Sequence, residues 1–306
     1  MQGNGVAAVG ECMLELSARE GGDWRMGFAG DTFNTLWAMR ALLPEDVAAD
    51  YVSAFGDDPF SRDQIAFFRD HGIGIARSPV VPGARPGLYA ITLHGAERSF
   101  TYWRADAAAR RLADEPAALR ASLDGRRLAY FSGITLAILE PKARDALLDT
   151  LKAVRADGTT VAFDPNYRPR LWPAPDAARA AIAEALGVVD IALPTFPDEQ
   201  ALFADASPEA TVDRLFAAGV GEIVVKDGEF PALVAAEGQR NSVPAVKVDA
   251  VDTTGAGDSF NGGYLAARLS GDTPADAARR AHRVAAAVVQ MRGALAPFET
   301  LKRAFG

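Results

Sequence analysis

Residues 128–166 read Leu128-Ala129-Tyr130-Phe131-Ser132-Gly133, then an Ala/Leu/Arg-rich run from Pro141 to Arg155, then Thr160-Val161-Ala162-Phe163-Asp164-Pro165-Asn166. Two short apolar runs flank one with helical spacing. Runs without polar alternation suit strands buried on both faces, hence a parallel sheet. The strand signature recurs at Val6-Ala7-Ala8-Val9, ending at Gly10, at Asp190-Ile191-Ala192-Leu193 and at Ile223-Val224-Val225. Helical spacing recurs from Ala174 to Leu186 and from Pro208 to Ala218. Strand and helix alternating at roughly 30-residue intervals specify right-handed βαβ units, and so an α/β fold with a doubly wound, mostly parallel sheet flanked by helices. Each strand run ends in polar or turn residues: Ser132-Gly133, Asp164-Pro165-Asn166, Pro194-Thr195 and Lys226-Asp227-Gly228. Ligands of open α/β sheets bind beyond the carboxyl ends of the strands, so these loops are the expected rim of a site.

Two regions depart from that rhythm. Cys12 to Phe28 and Gly87 to Arg104 alternate with a period of two, as in Leu88-Tyr89-Ala90-Ile91-Thr92-Leu93 and Ser99-Phe100-Thr101-Tyr102-Trp103. His94-Gly95-Ala96-Glu97 reads as the hairpin turn between the latter two runs. Alternation is expected of a sheet with one face toward solvent or a cleft. These segments, residues 12–28 and 87–104, are therefore read as a small β-sheet lid inserted in one domain spanning residues 1–306.

Composition narrows the function classes. The 306 residues carry 32 Lys+Arg against 40 Asp+Glu, a formal net charge of -8. That acidic excess argues against a nucleic-acid binder, which needs a basic footprint, but not against small anionic substrates. With 49% hydrophobic and 24% charged residues the chain is not intrinsically disordered. The single cysteine, Cys12, excludes an intramolecular disulfide and an all-cysteine metal site, fits a reducing cytoplasm, and is read as a buried, inert thiol. The three histidines, His71, His94 and His282, lack metal-site spacing. No apolar run reaches membrane-spanning length, and Met1-Gln2-Gly3-Asn4-Gly5 lacks the basic start of a signal peptide. A soluble, cytoplasmic globular protein is expected.

The run that carries chemistry is Asp252-Thr253-Thr254-Gly255-Ala256-Gly257-Asp258-Ser259-Phe260-Asn261-Gly262-Gly263-Tyr264. Gly255, Ala256 and Gly257 expose consecutive backbone amides where a helix begins, with Phe260, Leu265 and Leu269 marking its buried face. Amides at a helix N-terminus bind anions, and the helix dipole favours them further. Asp258 falls in the first turn, beside such an anion. A carboxylate there is electrostatically awkward unless it has a task, and taking a proton from a substrate hydroxyl is that task. The known phosphate loops do not match: no Gly-Lys-Ser/Thr ends this one, and Phe260 stands where the dinucleotide fingerprint needs glycine.

Asp-Thr-Thr-Gly-Ala-Gly-Asp-Ser-Phe, residues 252–260, resembles the C-terminal signature of the ribokinase-like (phosphofructokinase-B) carbohydrate kinases. Gly30-Asp31-Thr32-Phe33-Asn34-Thr35 resembles that family's N-terminal sugar-binding signature, with Ala29 where a second glycine is usual. The resemblance covers nearly the whole chain and implies a doubly wound body with a β-lid. It also implies loop amides of Gly255 to Gly257 around the transferring phosphoryl group, Asp258 as base, and Gly30, Asp31 and Asn34 on the sugar. Within the family, Gly10-Glu11-Cys12-Met13-Leu14-Glu15-Leu16-Ser17, Thr101-Tyr102-Trp103-Arg104 and Asp164-Pro165-Asn166-Tyr167-Arg168 resemble the 2-keto-3-deoxygluconate kinases most closely. The implied substrate residues are Arg104, Arg168, Tyr89 and Tyr102, and a guanidinium fork is indeed matched to a planar carboxylate. The implied reaction is ATP-dependent phosphorylation of the terminal hydroxyl of a sugar acid, in catabolism of Entner–Doudoroff type. A neutral-sugar kinase of fructokinase or ribokinase type is the alternative, and a non-catalytic sugar or nucleotide sensor the rival from another class.

On the nucleotide side the resemblance implies Thr195, Lys226, Gly228 and His282 near ATP. Mg²⁺ is implied with it, but the family's Asn-x-x-Glu element is altered here to Thr195-Phe196-Pro197-Asp198-Glu199, which leaves Asp198 and Glu199 as alternatives. Relatives hold a monovalent cation near the residue at Asp252, and this sequence leaves that open. An exposed lid edge would offer a surface for pairing two copies into a homo-oligomer.

Overall fold

The structure is a computed structural model, which describes residues 5–94 and 97–306. The first half of the chain runs β1 (Gly5–Val9), β2 (Met13–Ala18), β3 (Trp24–Ala29), α1 (Asp31–Leu42), β4 (Ala48–Val52), β5 (Phe55–Gly56), α2 (Pro59–Asp70), β6 (Ile73–Gly74), β7 (Val80–Val81), β8 (Leu88–His94) and β9 (Glu97–Trp103). There follow α3 (Pro116–Leu123), β10 (Leu128–Ser132), α4 (Gly133–Ile138), α5 (Pro141–Ala156), β11 (Thr160–Asp164), α6 (Pro175–Leu186), β12 (Ile191–Ala192), α7 (Phe196–Phe203), α8 (Pro208–Ala217) and β13 (Glu222–Val225). The chain closes with β14 (Ala232–Ala236), β15 (Gln239–Val243), α9 (Ala256–Leu269), α10 (Pro274–Val289) and α11 (Phe298–Phe305).

The body is a nine-stranded sheet in the order β15-β14-β13-β12-β11-β10-β1-β4-β6. Its pairs from β13 to β6 are parallel. The continuous apolar runs earn their place by facing two cores at once. Ala7 and Val9 join one core with Leu147, Leu151, Ile182 and Leu215 of α5, α6 and α8. Val6 and Ala8 join the other with Phe33, Leu36, Phe260, Leu265 and Val284 of α1, α9 and α10. The antiparallel hairpin β14–β15 at one edge is an addition to the sequence reading. Its tip is Glu237-Gly238, both at positive φ. Among the described residues no helix is long and apolar enough to cross a membrane.

α1 lies buried on nearly every side from Thr32 to Ala41. Its polar groups are satisfied rather than solvated: Thr32 Oγ1 lies 3.0 Å from the Tyr51 hydroxyl, and Asn34 and Thr35 reach across to α9. That approach depends on Gly262, where a Cβ would stand 2.5 Å from the Thr35 carbonyl oxygen and 2.6 Å from the Ala38 Cβ. A side chain there must push two helices apart. Gly262→Val should therefore cost about 2–3 kcal/mol, the upper range for overpacking, because a backbone atom is in the way. Thermal unfolding of the variant checks this.

The lid is a four-stranded sheet, β3-β2-β8-β9, in which β2 pairs in parallel with β8 and the two flanking pairs are antiparallel. It joins the two alternating segments as the sequence predicts. The centre of the expected turn, Gly95-Ala96, lies outside the described residues. Met13, Tyr89, Ile91 and Phe100 cluster on the lid's inner face, while Trp24, Met26 and Trp103 are exposed.

Candidate active site

The sheet order reverses between β1 and β10, and there the strand ends meet the N-termini of α1 and α9. α9 begins in a tight left-handed turn: Gly255 has φ 75°, and a Cβ on it would stand 2.6 Å from that of Ala294. The first full-turn bond of the helix runs from Ser259 N–H to the Gly255 carbonyl, 2.8 Å. The amides of Gly257 and Asp258 come before it, so they lack carbonyl partners one turn back and suit an anion. A Cβ on Gly257 would lie 3.7 Å from the Lys226 ammonium, which adds a full charge beside the cradle.

Asp258 is half-buried behind those amides. Its Oδ2 accepts from Asn34 Nδ2 at 2.8 Å, and Thr35 Oγ1 donates to its carbonyl at 3.1 Å. Burial, and after it the charge of Asp31, push its carboxyl up to about 7, against the opposing pull of Asn34 and Lys226. A base that titrates near neutrality is matched to proton abstraction at physiological pH. Burial also lifts Asp31, whose Oδ2 accepts from Asn166 Nδ2 at 2.8 Å. Asn166 sits at φ 35°, a left-handed conformation that asparagine tolerates.

Lys226 points inward beneath the loop. Its Nζ donates to Asp164 Oδ2 at 2.7 Å and to Asn261 Oδ1 at 2.9 Å, while Asn261 Nδ2 donates to Asp164 Oδ2 at 2.7 Å. Of the other residues expected near the nucleotide, Thr195 lies beside Lys226 in a parallel bridge. Gly228 adopts φ 59° with nothing within 4 Å of a Cβ, so open space adjoins it. His282 is buried edge-on to Phe260, and its Nε2 lies 3.2 Å from the Val243 carbonyl oxygen. Burial lowers its pKa and so favours the neutral ring, against the opposing pull of the bond to the Val243 carbonyl.

The substrate side pairs Tyr89, Arg104 and Arg168 each with a carboxylate. Tyr89 is buried and its hydroxyl donates to Glu15. The exposed Tyr102 ring lies 5.7 Å from that of Tyr89, and the Arg104 guanidinium is 6.0 Å from the Tyr102 ring. Arg104 Nη2 donates to Glu11. Arg168 Nη1 donates to Asp198 Oδ2 at 3.0 Å. Gly30 is a contact requirement, since a Cβ would stand 2.1 Å from the Glu11 carbonyl oxygen.

The two alternatives for Mg²⁺ separate here. Glu199 is fully buried and committed to Arg214 Nη2 at 2.5 Å, whereas Asp198 is on the Arg168 side. Among the described residues no group of three or more His, Cys, Asp or Glu is placed to hold a metal ion. The Asp252 carboxylate accepts from the amides of Thr254 and Gly293, at 3.0 and 2.7 Å. Burial pushes the Cys12 thiol up, as an inert thiol requires.

Sequence reading missed Glu11, Asp164, Asn166 and Asn261 as members of the site. All four lie inside runs it singled out, and Asn261, three positions after Asp258, shares a helix face with it. Their partners, however, lie 35–135 positions away along the chain, beyond any local pattern.

Such a constellation can serve delivery of a phosphoryl group to a hydroxyl, a reaction that needs donors for the developing charge and a base for the proton. Kinases of small hydroxyl compounds are the class so defined. The chain belongs to the pfkB family of carbohydrate kinases, whose model matches residues 4–301. It is 41% identical over 304 residues to the 2-dehydro-3-deoxygluconokinase of Dickeya dadantii, covering 97% of this chain and 98% of that protein. The enzyme of the same name from Escherichia coli matches to the same extent, 41% over 304 residues, with 97% and 98% covered. In fold, the chain matches a fructokinase with bound ATP from Xylella fastidiosa with a TM-score of 0.85, at 21% identity over 98% of this chain and 95% of that one.

Proposed function

We propose that this chain phosphorylates the terminal 6-hydroxyl of 2-keto-3-deoxygluconate (2-dehydro-3-deoxygluconate) with ATP. The observation that carries the substrate is the likeness, over 97% of the chain, to proteins named for that activity. In this reading the sugar acid enters beneath the lid, its carboxylate on Arg104 and Arg168 and its ring or chain against Tyr89 and Tyr102. Gly30, Asp31 and Asn34 hold hydroxyls and direct the terminal one to Asp258. Asp258 takes the proton as the hydroxyl oxygen bonds to the terminal phosphorus of ATP and the bond to ADP breaks. The amides of Gly255 to Gly257 and the Lys226 ammonium hold the charge of the moving group.

Thr195, Gly228 and His282 are assigned to the nucleotide side. Bound Mg²⁺ would screen the nucleotide phosphates. The absence of a three-carboxylate cage among the described residues suits an ion that arrives on the nucleotide with most of its waters, within reach of Asp198. A monovalent cation would belong beside Asp252. Body and lid act as one catalytic unit, assigned to the cytoplasm. The exposed Trp24, Met26 and Trp103 on the lid's outer face are apolar area that pairing with a second lid would bury, and the oligomeric state in solution tests that.

A neutral-sugar kinase is the second reading. One observation favours it: both arginines already have a carboxylate partner, Glu11 and Asp198. Release of ADP over a panel of keto-deoxy acids and neutral sugars decides between them. A preference for 2-keto-3-deoxygluconate over fructose by a hundredfold or more in kcat/KM is the expected result, and equal turnover of both overturns the assignment.

A further inference from the structure

The chain crosses between body and lid four times, and all four crossings meet at Glu11. Glu11 itself lies on the first, between β1 and β2. Gly30 lies on the second, where its missing Cβ leaves room for the Glu11 carbonyl. Gly87 lies on the third, where a Cβ would stand 2.5 Å from Glu11 Oε1 and 3.2 Å from the Arg104 Cβ. Arg104, directly after β9, lies on the fourth and donates to Glu11 Oε2.

This is a costly arrangement. The Glu11 side chain is 1% exposed and that of Arg104 13%, and Glu11 Oε1 and Arg104 Nε are buried without hydrogen-bond partners among the described residues. Apolar residues would fasten a hinge at least as well, because a buried ion pair gains little over them. What apolar residues cannot do is orient a guanidinium. Glu11 takes one terminal nitrogen of Arg104, and the other, Nη1, makes no bond to the described residues.

We propose that Glu11 is a positioning residue for the sugar acid: it fixes Arg104 on the lid so that the free edge of the fork meets the substrate carboxylate as the lid closes. This rests on the reading that Arg104 binds that carboxylate. It assigns Glu11 to substrate affinity, not to the phosphoryl step.

The test is steady-state kinetics with 2-keto-3-deoxygluconate and ATP on Glu11→Gln, Glu11→Asp, Arg104→Met and the Glu11→Gln/Arg104→Met double variant. Glu11→Gln keeps the shape but loses the charge, so KM for the sugar acid should rise about 5–30-fold, with kcat and the KM for ATP within about twofold. Glu11→Asp, which keeps the charge, should lie between the parent and Glu11→Gln. In the Arg104→Met background the Glu11 change should add nothing further to KM, since it acts through Arg104, and should raise the melting temperature by neutralising a buried carboxylate left without a partner. The double variant thus remains informative even where one single variant folds poorly. An unchanged sugar-acid KM in Glu11→Gln, equal losses for both substrates, or losses additive with Arg104→Met would overturn the proposal and leave Glu11 a hinge residue. An unchanged KM in Arg104→Met itself overturns the assignment of the arginine, and the positioning role with it.

Discussion

Asp258→Asn should turn over 10²–10⁴-fold more slowly, the usual contribution of a positioned general base, while its affinity for ATP stays close to that of the parent. Asparagine keeps the size and the contact with Asn34, and the loop amides do not depend on the side chain. The same variant should melt at a higher temperature than the parent at pH 8. The reason lies in the raised carboxyl, at about 7 in the fold against an ordinary value of 3.8. A group whose value is higher folded than unfolded supports the fold fully below its unfolded value and loses that support as pH rises through the folded one. Above pH 7 the parent therefore holds an ionised carboxylate next to Asp31 that asparagine avoids. The gap in melting temperature should close as pH falls from 8 toward 5. In the parent, kcat/KM should fall about tenfold per pH unit below 7, as the base is protonated. Near-parental turnover by Asp258→Asn would remove Asp258 from the mechanism, and equal melting temperatures at pH 8 would mean that its burial costs the fold nothing.

Replacing Arg168 by Met should lower kcat/KM for 2-keto-3-deoxygluconate about 10–150-fold, the equivalent of one charge-assisted bond of roughly 1.5–3 kcal/mol. The stability cost should be small. Arg168 is half exposed, and its bond to Asp198 is of the kind that contributes about 0–1 kcal/mol at most. Loss of activity without loss of melting temperature is therefore the signature of a binding role. The Arg104→Met/Arg168→Met double variant should lose less than the sum of the singles, because the two share one anion. A neutral sugar presents no such anion, so its weak turnover should be little altered. Equal loss on acid and neutral sugars, with a lowered melting temperature, would make both arginines structural and favour the neutral-sugar kinase.

The parts of the fold that could be read from sequence were those whose signal is local. The apolar runs at β1, β10, β11 and β13 declare burial on both faces, and the alternation at β8 and β9 declares a one-faced sheet. β14 was not legible because Ala-Leu-Val-Ala-Ala carries little strand preference, and only its pairing with β13 makes it one. The same division runs through the site. The anion cradle is a contiguous run and could be read; the partners that hold it are not. Lys226 was assigned to the nucleotide through the family resemblance, but which way its ammonium turns is decided by Asp164 and Asn261, 62 and 35 positions away. Asp198 and Glu199 are neighbours in sequence, and only the position of Arg214 separates their tasks.

The bond from Asn34 to Asp258 joins residues 224 positions apart. During synthesis the half that carries Asn34 leaves the ribosome long before Asp258 exists, and at about 5–20 residues per second the delay is on the order of ten seconds or more. β1 gains its neighbour β10 well before that, but until then the helix carrying Asn34 has no α9 to lie against. A nascent chain of this protein therefore carries exposed apolar helix surface that only its last fifth can cover. A chain that stops before α9 should therefore leave the α1 surface uncovered and aggregate rather than act as a weak enzyme.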